Sequence, residues 1–318
     1  MKLKRPFIQL PYRFDTTRLQ YEVEQLSSRK WLPHPSRMNG NEALPLVSRD
    51  GGNNDAFDGP MKTTPHLQDS PYLQQCMHHI GEVYGRSRLM ALDAGAEVSR
   101  HVDFNYHWFS RVRIHIPIVT SADVQFYCGD DHIHMAAGTC WIFDSWRPHR
   151  VVNGGSARRI HLVLDTAGSA AFWANVERVL YEQLSPPESP LVFDESGRHT
   201  IQTERFNSTP VLAPGEMRAL GDDLIEDLKL NTQNDPQALA ALQTTLRTLY
   251  RDWRSTWALH GYARTGFPVY QALLERAVAA LPPPRALTTK SNDLGATPIV
   301  MQRIVRAALR PDLLPYFT

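Results

Sequence analysis

Cysteine is scarce in this sequence, and long apolar runs are missing. Cys76, Cys128 and Cys140 are odd in number and widely spaced, which argues against a disulfide framework and favours a reducing, cytoplasmic location. No stretch approaches the ~20 apolar residues of a membrane-spanning helix. The segment Met1–Phe7 carries positive charge, but no apolar run follows it, so the sequence predicts no signal peptide and no membrane partner.

An excess of charge of one sign is also missing. Lysine and arginine number 34 against 33 aspartate and glutamate residues, which leaves a formal net charge of +1. This balance gives no electrostatic reason to expect nucleic acid as a partner. The content of 42% hydrophobic and 21% charged residues is ordinary for a soluble globular protein, and 318 residues suffice for one large domain or for a domain with an appendage.

Short apolar segments separated by turn residues fill the middle of the chain. Glycines and acidic residues between these segments are typical of tight turns. About eight short strands in roughly 80 residues fit a double-sheet jelly roll of the cupin type. The strands are predicted at 86–93, 97–102, 111–119, 123–128, 131–135, 139–144, 148–152 and 158–165.

Helical patterns flank the predicted strands on both sides. Asp15 and Ser169 are good N-caps for two of these helices. The proline-rich segment 186–190 breaks the helical pattern, so we predict a jelly-roll domain with N-terminal helices over 1–185 and a mostly helical C-terminal domain over 186–318. Helices are predicted at 15–26, 70–83, 170–183, 216–229, 236–258, 267–280 and 297–309.

A His-x-Asp motif and a later histidine form the strongest chemical pattern in the chain. His101 and Asp103 project to the same side of an extended strand, and His149 follows well downstream. Two imidazoles and one carboxylate, with coordination positions left open for substrate and oxygen, are what a non-haem Fe(II) oxygenase uses to hold its metal. Arg159 follows the second histidine by ten residues, and an arginine in this position could bind an acidic cosubstrate.

Strand alternation gathers cationic side chains on one face. Arg113 and His115 share one face of their predicted strand, and Arg159 shares a face with His161. One interpretation is a half-exposed sheet with its polar face in water. The other is a polar barrel interior in which Arg113, His115 and Arg159 line a pocket for a dicarboxylic acid, since arginine grips a carboxylate through a planar fork.

These residues resemble a known family. The segment 88–165 is similar to the aspartyl/asparaginyl β-hydroxylases and, more closely, to the bacterial free-proline hydroxylases grouped with them, which are Fe(II)/2-oxoglutarate dioxygenases on a double-stranded β-helix. The likeness is carried by Arg88-Leu89-Met90, His101-Val102-Asp103, Arg113-Ile114-His115, His134-Met135, Trp141-Ile142-Phe143-Asp144, Pro148-His149 and the segment from Arg159 to Asp165.

The resemblance implies roles for the matched residues. His101, Asp103 and His149 fall on the iron ligands of the family, and Arg159 falls on the residue that pairs with the distal carboxylate of 2-oxoglutarate. The positions that assist cosubstrate binding in the β-hydroxylases are occupied by Arg113 and His115.

The sequence also departs from parts of the family. Animal β-hydroxylases lack the carboxylate of the triad, whereas Asp103 is present here, and halogenating relatives need that carboxylate absent. Asp103 therefore favours hydroxylation. A serine that contacts 2-oxoglutarate in the animal enzymes falls near Met90, so that contact is not carried over. The implied cofactors are Fe(II), 2-oxoglutarate and O2.

Three further residues are candidates for contacting the substrate. Tyr106 and Trp108 follow the His-x-Asp motif directly and could shape the substrate pocket, and His134 alternates with His132 on a predicted strand. The alternative for Tyr106 and Trp108 is ordinary loop packing, and for His134 a structural histidine.

Two functions from different classes remain open. The leading one is an Fe(II)/2-oxoglutarate-dependent dioxygenase that hydroxylates an unactivated C–H bond of an amino acid, free or within a peptide, and releases succinate and CO2. The alternative is a catalytically silent cupin-like module that binds a small anion or a metal as a sensor or scaffold. The complete set of ligand and arginine positions favours the enzyme.

Two regions outside the predicted strands are candidates for covering the pocket. The loop 51–60 is rich in Gly, Asn and Asp and is predicted to be exposed and mobile. We expect this loop or the helical domain to close over the pocket mouth, because oxygenases benefit from shielding the reaction. The alternative is that the C-terminal helices are a homodimerisation or stability element.

Overall fold

The computed structural model describes residues 1–34, 39–197 and 199–317. The chain divides into two compact units. The first comprises Met1–Val102 and Ser110–Asn207, and the second comprises Asp103–Phe109 and the residues from Ser208 onward. We call them the β unit and the helical unit.

Every strand predicted between residues 86 and 165 is present, with ends that differ by at most three residues. These segments form strands because β-branched and aromatic residues alternate with polar ones between turn residues. The strands are β1 (Phe7–Arg13), β2 (Leu32–Pro33), β3 (Asn41–Arg49), β4 (Met61–Thr63), β5 (Val83–Leu92), β6 (Glu97–His101), β7 (Val112–Val119), β8 (Val124–Cys128), β9 (Asp131–Ile133), β10 (Thr139–Phe143), β11 (His149–Asn153), β12 (Arg159–Thr166) and β13 (Gln202–Thr203).

The strands form two sheets. The larger sheet has the order β1-β10-β7-β12-β5-β3-β2, with β4 beside β3 and β13 beside β5, and the smaller sheet has the order β6-β11-β8-β9. Neighbouring strands are antiparallel, apart from the short parallel pair of β13 with β5. Strands that are neighbours in space are therefore mostly distant in sequence, and the predicted jelly roll is confirmed.

One face of the larger sheet is apolar and packs on helices. These helices are α1 (Thr16–Gln25), α2 (Pro65–Gln68), α3 (Pro71–Ile80) and α5 (Ala170–Leu180). The short helix α4 (Tyr106–Ser110) precedes α5 along the chain. Asp15 caps α1 by accepting hydrogen bonds from the backbone N–H groups of Thr17 and Arg18. The four-residue spacing of Leu19 and Val23 then places both on the buried face of α1. Their core cluster includes Ile114, Ile116, Leu162 and Leu164 of the sheet.

A second, smaller core lies within the β unit. It joins apolar side chains of both sheets, because alternate residues of each strand point to the same face. Its members include Leu92, Phe126, Cys128, Phe143 and Val151.

The helical unit is built from the C-terminal helices that the sequence periodicity predicts. Trp253 lies fully buried in it and donates a hydrogen bond from Nε1 to the carbonyl oxygen of Leu212, at 2.9 Å. Asp235 caps the longest helix. The helices are α6 (Pro214–Leu230), α7 (Pro236–His260), α8 (Phe267–Ala279), α9 (Ala296–Ile299), a π-helical turn (Val300–Val305) and α10 (Arg306–Ala308).

Among the described residues, five strands of the larger sheet lie outside the region where strands were predicted, namely β1, β2, β3, β4 and β13, and the two longest of them each contain a proline. β1 contains Pro11 and β3 contains Pro45, and proline interrupts the pattern by which a strand is identified. β1 tolerates its proline because it is an edge strand that pairs only with β10, and its register is irregular between Gln9 and Arg13.

The compact units divide after Asn207, whereas the sequence predicted a division between 185 and 186. The segment between these points is attached to the β unit by backbone pairing. β13 joins the larger sheet beside β5, and Leu191 forms a bridge with Phe14.

The loop 51–60 is mostly half-buried, so the prediction that it is exposed is wrong for most of its residues. Asp58 is buried and forms an ion pair with Arg49 of β3. Arg49 lies only nine residues before Asp58, but the composition of the loop does not indicate that the two residues pair.

All three cysteines are buried and free, as their number and spacing predicted. Among the described residues, no helix is both long enough and apolar enough to cross a membrane.

Candidate metal centre and inner pocket

The three predicted metal ligands lie together. His101 ends β6, His149 begins β11, and the two residues face each other directly in the register of these strands. Their ring centroids are 4.2 Å apart. Asp103 follows His101 by two residues, so the local backbone brings its carboxylate near the imidazoles. One ligand atom from each of the three residues lies within 4.8 Å of the other two.

Both histidines are oriented by the backbone. The Nδ1 atom of His101 lies 2.8 Å from the carbonyl oxygen of Ser99, and Nδ1 of His149 lies 2.9 Å from the carbonyl oxygen of Arg147. A carbonyl can only accept, so each Nδ1 donates a proton and each Nε2 keeps its lone pair. Metal-binding histidines are held in this way. This donor set of two imidazoles and one carboxylate fits Fe(II) with open coordination positions.

The inner face of the larger sheet carries a row of polar side chains. Arg159, His161 and Asp165 alternate along β12 and therefore share this face. The register places His115 opposite Val163 and Arg113 opposite Asp165. Arg159 is 5% and His161 is 2% exposed. The interpretation of a polar face in water is therefore wrong, and the predicted polar interior is present.

Arg159 is a buried cation with a neutral partner. Its Nη2 atom donates to Nδ1 of His161 at 2.7 Å. Burial and the adjacent Arg159 charge hold the pKa of His161 well below its ordinary value. Burial also lowers the pKa of Arg159 to about 9. Among the described residues, no carboxylate lies in ion-pair range of Arg159. The guanidinium is thus available to an external anion.

His115 lies beside Arg159 and His161 and connects them to the metal ligands. Its ring centroid is 5.8 Å from that of His161 and 5.4 Å from that of Phe143, and Phe143 lies 4.9 Å from His149. Burial, with Arg113 and Arg159 nearby, holds the pKa of His115 well below its ordinary value. Within the described part of the chain, neither ring nitrogen of His115 has a hydrogen-bond partner. Buried polar atoms of this kind indicate a ligand or water.

A second cationic group lies further along the same face, and the sequence did not predict it as a site. We call it the arginine cluster: Arg86, Arg88 and Arg113 with Asp55 and Asp165. Asp55 accepts from Arg88 at 2.6 Å and from Arg86 at 3.0 Å. Asp165 lies 3.5 Å from Nε of Arg86 and 3.8 Å from Nε of Arg113. Alternation along β5 could have placed Arg86 and Arg88 together, but nothing local indicates that Asp55 reaches them.

The candidate substrate residues are divided between the two compact units. Tyr106 and Trp108 belong to the helical unit, where the Tyr106 hydroxyl donates to Glu216 at 2.6 Å and Trp108 is 5% exposed. His134 belongs to the β unit, and its Nδ1 lies 3.1 Å from the carbonyl oxygen of Val124.

A family model and a curated relative match part of the chain. Residues 16–168 match the model of the aspartyl/asparaginyl beta-hydroxylase family. The chain is 25% identical over 128 residues to L-proline cis-4-hydroxylase of Rhizobium meliloti (strain 1021), an alignment that covers 39% of this chain and 46% of that relative. The chain thus spans about half the length of this curated relative. The resemblance that the motifs predicted is confirmed over residues 16–168.

Solved structures are also similar to part of the chain. A Pseudomonas putida prolyl-4-hydroxylase aligns with a TM-score of 0.36 and 12% identity, over 52% of this chain and 95% of that one. A 2OG-Fe(II) oxygenase family oxidoreductase from Burkholderia pseudomallei aligns with a TM-score of 0.38 and 13% identity, over 51% of this chain and 86% of that one.

Proposed function

We propose that this chain, whose residues 16–168 match the aspartyl/asparaginyl β-hydroxylase family, is an Fe(II)/2-oxoglutarate-dependent hydroxylase of an amino acid, free or within a peptide. The observation that carries the proposal is the presence of both a set of metal ligands and a buried guanidinium group. His101, Asp103 and His149 can share one metal ion, and the buried Arg159 guanidinium lies on the inner face with no carboxylate of the described chain to neutralise it.

In this proposal the protein holds and orients the reactants. His101 and His149 present Nε2 because each Nδ1 is engaged by a carbonyl, and Asp103 supplies the third ligand. Iron held by two imidazoles and one carboxylate keeps positions for 2-oxoglutarate and oxygen and supplies the oxidising chemistry. The protein itself positions the substrate carbon and keeps side reactions out.

Arg159 is proposed to bind the distal carboxylate of 2-oxoglutarate. A buried guanidinium offers a charge-assisted, two-pronged contact to a carboxylate. His161 keeps Arg159 in position through the 2.7 Å hydrogen bond. His115 and Arg113 are proposed to assist, since both project from β7 to the inner face.

The proposed reaction converts an amino acid, 2-oxoglutarate and O2 into the hydroxylated amino acid, succinate and CO2. One oxygen atom of O2 enters the hydroxyl group of the amino acid, and the other enters the succinate formed as 2-oxoglutarate loses CO2. The name of the aligned relative, a proline hydroxylase, supports a free amino acid as the substrate class. Asp103 completes the ligand triad that hydroxylation uses.

A succinate-release assay tests the proposal. The full chain, with Fe(II), 2-oxoglutarate and O2, is screened against the twenty common amino acids for substrate-stimulated succinate formation. We expect at least one amino acid to stimulate succinate formation and to gain one oxygen atom by mass. Fe(II) and 2-oxoglutarate binding without stimulated succinate release from any amino acid or peptide would favour the alternative, a catalytically silent binding module.

A further inference from the structure

We propose that Asp55 is a specificity-determining residue. Its carboxylate fills the Arg86–Arg88 pair from within the chain, so that the inner face accepts amino acids with one carboxylate and rejects those with an acidic side chain. This inference rests on the proposed function and deepens it by naming the substrate class.

Asp55 occupies the two arginines as a substrate carboxylate would. One carboxylate oxygen accepts from Arg88 at 2.6 Å and the other from Arg86 at 3.0 Å, so each oxygen meets a different guanidinium. The side chains of Arg88, Arg86 and Asp55 are 3%, 7% and 16% exposed. Burial of this degree strengthens a charged contact and excludes competing ions from it. An acidic side chain of a ligand would have to displace Asp55 to reach the pair.

The filled pair lies next to the residues proposed to bind the cosubstrate. Arg88 and His115 both face Val163 of β12, one from each neighbouring strand. Residues that face each other in this way share one side of the sheet. His115 in turn contacts Phe143, and Phe143 contacts His149. The charge of the arginine cluster therefore acts on the same interior as the metal ligands.

Contacts other than those of Asp55 also hold the loop in place. Asp58 pairs with Arg49, whose Nε also donates to the Asp58 carbonyl oxygen at 2.6 Å. Asn207 donates to the carbonyl oxygen of Phe57 at 3.2 Å. These contacts fasten the loop beyond Asp55, and a buried ion pair contributes little net stability compared with apolar packing. The placement of Asp55 is better explained by the charge it brings to the interior.

Charge balance sets the ligand that fits. Among the described residues, the arginine cluster holds three guanidinium groups, Arg86, Arg88 and Arg113, against two carboxylates, Asp55 and Asp165. Without the charge of Asp55, Arg86 and Arg88 would lose a counter-charge that they share, and the carboxylate of a ligand side chain would become favourable there.

Ligand pairs of equal shape but different charge test the idea. The full chain is loaded with Fe(II) and 2-oxoglutarate under argon, so that no turnover occurs. Calorimetry then gives the affinity ratios of L-aspartate to L-asparagine and of L-glutamate to L-glutamine. The Asp55→Asn variant keeps the shape of the side chain and removes its charge. We expect it to raise the acid-to-amide ratios by at least about tenfold, because a hydrogen bond to a charged group contributes ~1.5–3 kcal/mol.

The matched control is Asp58→Asn. This variant removes a carboxylate from the same loop and breaks an ion pair of similar kind outside the arginine cluster. We expect it to leave both ratios at the wild-type value. An equal rise in Asp58→Asn and Asp55→Asn would assign the effect to loosening of the loop and overturn the proposal, as would unchanged ratios in Asp55→Asn.

A second, charge-balanced variant tests the proposal if Asp55→Asn does not fold. In Asp55→Asn/Arg88→Gln, one charge of each sign is removed, so the ratios should return to the wild-type value. Arg88→Gln alone should lower them, and a rise in either variant would contradict the proposal. Binding is measured without turnover. If Asp55→Asn leaves the acid-to-amide ratios unchanged while the enzyme still releases succinate, the role of Asp55 is refuted and the proposed function stands. If the ratios shift but no succinate is released, only the proposed function is refuted.

Discussion

Buried arginines lie at both ends of the inner face, and the two ends neutralise them differently. At one end, Arg159 meets only the neutral ring of His161. At the other end, the three arginines of the arginine cluster meet Asp55 and Asp165. An unpaired buried charge is costly, whereas a paired one is largely compensated. The Arg159 end is therefore incomplete without an anion, and the arginine cluster is nearly complete by itself.

Loss of a metal ligand should have the largest effect. His149→Ala leaves two ligands, and we expect Fe(II) affinity to fall by more than about 100-fold, since changes to residues behind the ligands already cost 10–100-fold. Succinate release should disappear. Calorimetric Fe(II) titration under argon measures this, with His132→Ala on the exposed part of β9 as the control. Wild-type affinity in His149→Ala would move the metal away from the triad.

Opposite effects on stability should distinguish the two ends. Asp165→Asn removes one of the two carboxylates of the arginine cluster, the one that lies beside Arg86 and Arg113, and we expect it to lower the free energy of unfolding by about 3–5 kcal/mol. Arg159→Met removes a buried cation that has no counter-charge in the described chain, and should raise the free energy of unfolding by about 1–4 kcal/mol in the absence of ligands. Urea denaturation of the ligand-free protein measures both. Changes of the same sign would contradict the comparison.

Cosubstrate binding should depend on Arg159 and not on the residue before it. Arg159→Ala should weaken 2-oxoglutarate binding by about 2–5 kcal/mol and raise its KM, and Arg159→Lys should restore only part of it because an ammonium cannot reproduce the planar fork. Arg158 points to the other side of the strand and pairs with Glu42 and Asp93. Arg158→Ala is therefore the matched control, and an equal rise in KM for both alanine variants would place the anchor elsewhere.

The smallest predicted effect is on the pH dependence of stability. The folded-state pKa values of His115 and His161 lie well below the ordinary value, so both are neutral when folded and take up protons when unfolded. The stabilisation that these neutral histidines give the folded state is fully present above the unfolded pKa of about 6.5. It is lost as the pH falls below that value, and the free energy of unfolding then decreases by up to ~1.4 kcal/mol per pH unit for each histidine. Urea midpoints between pH 5 and 7 should show a shallower slope in His161→Asn. An unchanged slope would mean that His161 is not held neutral by its surroundings.

The sequence predicted the local parts of this arrangement. Alternation along one strand placed Arg159 and His161 together, and the i, i+2 spacing placed His101 beside Asp103. These predictions succeeded because they depend on backbone geometry over a few residues. The strands between 86 and 165 were predicted for the same reason, since apolar segments and turn residues are local signals.

Contacts between distant parts of the chain could not be predicted in this way. Asp55 meets Arg86 and Arg88 because of how the loop crosses the sheet, and its sequence neighbourhood indicates only a turn. β1 was not identified because Pro11 interrupts its pattern and because β10, its partner strand in the described chain, lies far away in sequence. Charge compensation is set by the tertiary fold, so the difference between the two ends of the inner face becomes visible only in the structure.

The pairing of β1 with β10 has a consequence for biosynthesis. Phe7 pairs with Phe143, so the two strands leave the ribosome about 130 residues apart, which takes on the order of ten seconds at usual rates of translation. During that time the apolar segment around Ile8 and Leu10 has no partner strand. Pro11 and the basic residues before Phe7 are features that hinder intermolecular strand pairing. We therefore expect the proline that obscures β1 in the sequence to hinder aggregation of the nascent chain.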